Sequence, residues 1–203
     1  MLKQLEQELQ KLGSPSKAKI YSRFFKTGKG EYGEGDVFIG LTVPEQRALA
    51  KKYVNLDISD VEKFLSNRIH EYRLTGFFIL TYKFEKADEN QKKKIVDFYL
   101  RNKHCANNWD LIDCVADKIL GSYLFDKKKY VIYKLAESSS LWDRRIAIIS
   151  TFYFIKKNQF EDTLRVSEVL LDDKHDLIHK AVGWMLREVG KRAQEKEEKF
   201  LKK

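Results

Sequence analysis

The stretch HEYRLTGFFILTYKFEK, His70–Lys86, decides the fold. It holds no proline and one glycine, and its apolar residues recur at helical spacing. The pattern predicts a helix with Tyr72, Leu74, Phe77, Phe78, Leu80 and Phe84 mostly inside. Outward from it the chain repeats the theme. Leu2, Leu5, Leu9 and Leu12 line one face of a first helix, which Gly13 stops. Ser14-Pro15 then offers a cap and a first-turn proline for a second helix carrying Ile20, Tyr21, Phe24 and Phe25. Residues 27–42 hold Gly28, Gly30, Gly33, Gly35 and Gly40, fit no phosphate-loop or dinucleotide pattern, and read as a surface loop between helices.

Downstream, helices are expected over 43–53, 59–66, 88–102, 109–120, 127–136, 142–157, 160–171 and 177–192, with a helical, charged and frayed tail over 193–203. Helix after helix, joined by short turns in units of roughly 35–45 residues, is the period of stacked helical hairpins. The expected fold is all-α, a HEAT-like α-solenoid of antiparallel hairpins with a concave basic face. It forms a single domain over 1–203, and a compact bundle is the alternative.

The chain has 39 Lys and Arg against 30 Asp and Glu, a formal charge of +9. The segment 187–203 supplies +3 of this, from seven basic and four acidic residues, so most of the excess is spread through the body. Such a balance suits a polyanion partner, although many proteins carry it for solubility alone. Two cysteines and four histidines make neither a disulfide framework nor a zinc pattern. No apolar run approaches the ~20 residues of a membrane span, and the amphipathic, charged start is not a signal peptide. The expectation is a cytoplasmic protein.

All three tryptophans, Trp109, Trp142 and Trp184, fall on helices about one repeat apart, and each has polar company. Trp109 precedes Asp113 by one helical turn, on the same face. Trp142 is followed by Asp143, Arg144 and Arg145, and Trp184 lies between Lys180 and Arg187. A Trp at helical spacing is commonly core. Three of them with a carboxylate and basic groups, on stacked helices of a basic chain, also fit a site for a cationic substrate.

The runs Asn108-Trp109-Asp110-Leu111-Ile112-Asp113, Leu141-Trp142-Asp143-Arg144-Arg145 and Lys180-Ala181-Val182-Gly183-Trp184-Met185-Leu186-Arg187-Glu188 resemble the AlkD-like DNA alkylation repair family. So does Val43-Pro44-Glu45-Gln46-Arg47, and the likeness runs in order from about Ser14 to Arg192. The resemblance implies a HEAT-like DNA glycosylase that removes N3- and N7-alkylated purines from duplex DNA without drawing the base into a pocket. By the same resemblance Trp109, Trp184 and Asp113 match the family's active-site indoles and carboxylate, and Arg145 its arginine near the lesion's backbone. Arg144, Lys180, Arg187, Phe24 and Trp142 are the expected further DNA contacts. No cofactor or metal is implied, and a monomer is expected.

The chemistry is consistent with those residues. Alkylation leaves the purine cationic and a good leaving group, while the sugar gains oxocarbenium character that a carboxylate stabilises. Indole faces attract cations by about 0.5–2 kcal/mol.

Three departures stand out. Asn107-Asn108 precede Trp109 where relatives have a Trp or small residue, and Phe24 replaces a Tyr of some members. The basic helical hairpin that often follows the Trp184 helix is not in this chain, so a different footprint is expected. Two other classes remain open: a non-catalytic DNA-binding solenoid that recognises damaged or distorted DNA, and a protein–protein scaffold.

Overall fold

A computed structural model describes residues 1–202. Among these the secondary structure is helical, without a named strand; the only pairing of extended backbone is an isolated parallel bridge between Val37 and Ile69. The chain divides into two compact units, one from Met1 to Leu111 and one from Ile112 onward.

The first unit comprises α1 (Leu2–Leu12), α2 (Pro15–Phe24), α3 (Val43–Lys52), α4 (Ile58–Leu65), α5 (His70–Lys86) and α6 (Glu89–Arg101). Its centre is α5, which is buried nearly all round and packs against α3, α4 and α6. That burial explains its sequence: a helix with apolar residues on every side has to sit inside. Leu5 and Leu9 of α1, Leu49 of α3 and Phe64 of α4 join it in the core. Local chemistry starts the helices where expected. Pro15 occupies the first turn of α2, the Glu45 carboxylate accepts the Thr42 backbone N–H at 2.7 Å, and Asp88 and Gln91 form a reciprocal capping box.

The glycine-rich segment is only half a surface loop. Its second half carries Asp36, Phe38 and Leu41 into the interior. Gly40 has φ +87°, and an added Cβ would meet the Ser14 carbonyl oxygen at 2.2 Å. Both conditions require glycine there.

The unit boundary falls inside the short helix α7 (Trp109–Asp113). The second unit continues through a π-helical turn, Asp117–Gly121, into α8 (Ser122–Leu124), α9 (Tyr130–Ala136), α10 (Leu141–Ser150), α11 (Phe152–Lys156), α12 (Glu161–Val169), α13 (Asp176–Gly190) and α14 (Gln194–Leu201). α10 is its hub, with Ile146, Ala147, Ile148 and Ile149 fully buried against α9 and α13. The helix expected over 142–157 is thus two, parted at Thr151. The one expected over 109–120 is interrupted before its π turn, where a Cβ on Gly121 would meet the Ser150 carbonyl oxygen at 2.1 Å. α14 lies in the tail, expected to be helical and frayed, and buries Phe200; Lys203 is outside the described residues.

Candidate active site

In the second unit Asp113 and Arg145 meet across 32 residues of sequence. The Arg145 Nε donates to Asp113 Oδ1 at 2.8 Å and Nη2 to Oδ2 at 2.7 Å, a bidentate fork. The remaining guanidinium nitrogen, Nη1, donates to the Leu177 carbonyl in the first turn of α13. Three elements are therefore fastened through one side chain: α7, α10 and α13. The Arg145 side chain is 6% exposed and that of Asp113 14%, so the carboxylate is the member nearer solvent. The Nε/Nη2 edge of Arg145 faces Asp113.

α10 owes its start to Ser140, whose Oγ accepts the Asp143 N–H, while Ser138 Oγ donates to Asp143 Oδ2 at 2.9 Å. Arg144, one residue before Arg145, points elsewhere. It binds Asp173 at 2.5 Å and the carbonyls of Ser138 and Ser139, locking the turn before α10 to the loop before α13. Asp173 is held below the usual carboxylate range: burial opposes its ionisation, and the Arg144 bond and the His175 N–H outweigh burial.

Trp184 is half-buried on α13, its ring 5.5 Å from that of Phe152. Lys180 and Arg187 stand exposed on the same helix, and Lys180 pairs with Asp176 one turn earlier. Gly183 lies between them with nothing within 4 Å of where its Cβ would be. Trp142 is half-buried at the start of α10.

In the first unit Trp109 stacks on Phe25 at 5.4 Å and takes the edge of Phe24 at 5.9 Å. Phe24 is itself 60% exposed.

A buried ion network, whose pairings no sequence spacing marks, supports Trp109's neighbours. His70 bonds Asp36 through Nδ1 at 3.0 Å and Asp110 through Nε2 at 2.8 Å, and Arg73 pairs with Asp36 at 2.8 Å. Asn107 donates to Asp36 at 2.8 Å and accepts from Arg73 at 2.9 Å. Burial alone would depress the His70 pKa, but Asp110 and Asp36 raise it to about 9, so the ring is an imidazolium at neutral pH. Asp36 is lowered in turn: burial works against its charge, and His70, Arg73 and Asn107 outweigh it. Glu71 is buried beside this network and accepts the backbone N–H groups of Ile39, Gly40 and Leu41. The signal available in advance was charged residues opening the most apolar helix of the chain.

Among the described residues no cluster of three or more His, Cys, Asp or Glu side chains is placed to hold a metal ion. No helix among them is long and apolar enough to cross a membrane.

The fold is that of a HEAT-like helical protein. A solved structure from Enterococcus faecalis, described as a predicted DNA alkylation repair enzyme, superposes with a TM-score of 0.72 over 94% of this chain and 89% of that one, at 18% identity. The family described as DNA alkylation repair enzyme matches residues 5–203, and the chain belongs to that family. No curated protein matches it.

Proposed function

We propose that the protein is a monofunctional DNA glycosylase that hydrolyses the N-glycosidic bond of cationic N3- and N7-alkylated purines in double-stranded DNA, without flipping the base into a pocket. The observation that carries this reading is the bidentate Asp113–Arg145 pair in a chain of this family. An ionised carboxylate offers about four lone-pair sites, so one gripped by a fork can still face a developing oxocarbenium ion or orient water. Asp113 is assigned that role. Arg145 is its positioning residue, fixing the carboxylate with two bonds whose angle a single donor could not set.

Trp109 and Trp184 are each assigned an indole contact to the alkylated DNA. Lys180 and Arg187 are assigned phosphate contacts, with Gly183 between them leaving room for the backbone to come close. Phe24 and Trp142 are assigned apolar contacts to DNA. Arg144, engaged with Asp173, supports α10 and α13. The reading needs no cofactor or metal, and the protein acts as a cytoplasmic monomer.

The test is release of 3- and 7-methylpurine from methylated duplex DNA. The wild type releases base, and Asp113→Asn, which keeps the shape and loses the charge, cuts the rate by at least about 10²-fold, the usual scale for removing one electrostatic stabiliser. Equal rates would refute the role of Asp113. Duplex binding without any base release would favour a non-catalytic DNA-binding protein, in which the same ion pair is only a strut between helices.

A further inference from the structure

At the far end of α5 from Trp109's neighbours, wholly within the first unit, lies a cavity of about 420 Å³. Ligand pockets commonly run from about 300 to 1,000 Å³, so it has room for a small molecule. It opens between the turn that joins α3 to α4, the last turn of α5 and the start of α6. At about 1.5 Å of rise per residue, Lys83 lies roughly 20 Å along α5 from His70, whose ring bonds Asp110.

The charge on the wall has one sign. Lys83, Lys86 and Lys94 line it, and no carboxylate does. Among the described residues none of the three ammonium groups has a hydrogen bond or a salt bridge. Their neighbours on α6 behave differently: Lys92 pairs with Glu89 and Lys93 with Asp97. The negative end of α5 accounts for lysines in its last turn, Lys83 and Lys86, but not for Lys94, which reaches the same cavity from another helix. Burial holds the Lys83 ammonium below the usual lysine value, and the Asp57 charge nearby does not outweigh it. An anion in the cavity would supply the counter-charge that Lys83 lacks.

Two further features narrow the guest. Lysines are point charges without the planar fork that selects a carboxylate, and three of them favour a doubly charged head. Gln91 is spoken for through its Oε1, which accepts the Asp88 N–H at 3.1 Å, so its Nε2 is the end left to donate. The rest of the wall is aliphatic: Val54, Ile58, Ala87 and Ile95, with Ile58 43% exposed. No aromatic ring lines the cavity to stack a nucleobase, so the apolar part of the guest is saturated.

We propose that this cavity binds a soluble phosphomonoester carrying a compact saturated group, its phosphate dianion among Lys83, Lys86 and Lys94 and its saturated group on Val54, Ile58, Ala87 and Ile95. The site is separate from Asp113 and Arg145 and does not rest on the glycosylase reading.

Calorimetric titration of the full chain with three probes separates the contributions, above the second phosphate pKa of about 6. Isobutyl phosphate has both the dianion and the apolar group and is expected to bind at one site. Inorganic phosphate lacks the apolar group and should bind about 10-fold more weakly. Isobutyl methyl phosphate keeps that group with a single charge and should also lose about 10-fold. In NMR spectra isobutyl phosphate should shift the Gln91 side-chain amide and the backbone amides of Ala87 and Ile95. Lys83→Met, which keeps the length and removes the charge, and Lys94→Gln, at an exposed position, should each weaken binding about 10-fold. Should Lys83→Met misfold, Lys94→Gln decides. An unmodified DNA duplex is not expected to displace the ester. No saturable binding at millimolar probe, inorganic phosphate binding as tightly as the ester, or shifts confined to another part of the chain would overturn the proposal. Displacement by the duplex would overturn it too, assigning the three lysines to DNA.

Discussion

At Arg145, every guanidinium nitrogen donates a hydrogen bond within the protein, two to Asp113 and one to a main-chain carbonyl. Removing one partner of such a buried pair strands the other, which costs about 3–5 kcal/mol. Arg145→Ala should therefore lower unfolding free energy by about that amount in urea titration, and lower base release as well. Arg145→Lys separates the two roles: it retains a charge near Asp113 but not the fork. Its kcat should fall with little change in KM, because the carboxylate is present and misdirected. A Lys variant with wild-type kcat would remove Arg145 from the positioning role.

His70 makes a second residue-scale prediction. Its folded pKa of about 9 lies above the usual histidine value of 6.5. A raised value means that the stabilisation is complete below about pH 6.5 and fades as pH rises through 9. The gap corresponds to on the order of 3 kcal/mol. Comparing the wild type with His70→Gln in denaturant, the stability difference should shrink steadily from pH 6.5 to pH 9.5. A constant difference would show that the imidazolium is not what the network holds. Asp36, lowered in the fold, adds the opposite limb: its contribution is lost as pH falls into the acid range.

Two helical glycines show what an element can reveal of its surroundings. At Gly76 in α5 an added Cβ would meet Leu65 Cδ2 at 3.0 Å and Phe64 Cβ at 3.2 Å, so the close approach of α4 accounts for it. At Gly183 in α13 there is open space, so the fold itself gains nothing from the glycine. An interior helical Gly costs about 1 kcal/mol relative to Ala. Gly183→Ala should raise unfolding free energy by up to about that amount. If a DNA backbone approaches between Lys180 and Arg187, the same change weakens duplex binding. Stability and affinity moving in opposite directions is the expected result; unchanged affinity would free α13 of that contact.

The elements themselves were largely legible in the sequence, because apolar periodicity and caps such as Asp88 act locally. The break at Thr151 within the stretch expected over 142–157 was not legible, since the close contact of Gly121 with Ser150 beside it is made by packing. Of the candidate site, the Trp and Asp positions could be named in advance. The partner of Arg145 and the His70 network could not, because their members lie 32 to 71 residues apart and nothing local marks the pairing.

For the whole molecule, the +9 charge is shared. The first unit carries 20 basic and 15 acidic residues, the segment from Ile112 onward 19 and 15. A polyanion can therefore be attracted by either part, and charge count alone does not say which cations touch it. Pairing decides that. Arg144 is committed to Asp173 and two carbonyls, whereas Lys180, 70% exposed, holds only a helix-surface pair with Asp176 that salt screens readily. Duplex affinity should fall linearly with salt on logarithmic axes, by about 0.9 per phosphate contact. Lys180→Ala should reduce that slope by about one, equally for any DNA sequence, with stability unchanged within about 0.5 kcal/mol. Arg144→Ala should do the reverse, leaving the slope and lowering stability by a measurable margin, since Asp173 and the turn before α10 lose their tie. Affinities measured by fluorescence anisotropy from 50 to 200 mM salt, with thermal melts of the same preparations, give both quantities. A slope lowered by Arg144→Ala and not by Lys180→Ala would place the DNA at Arg144 and break the assignment of α13.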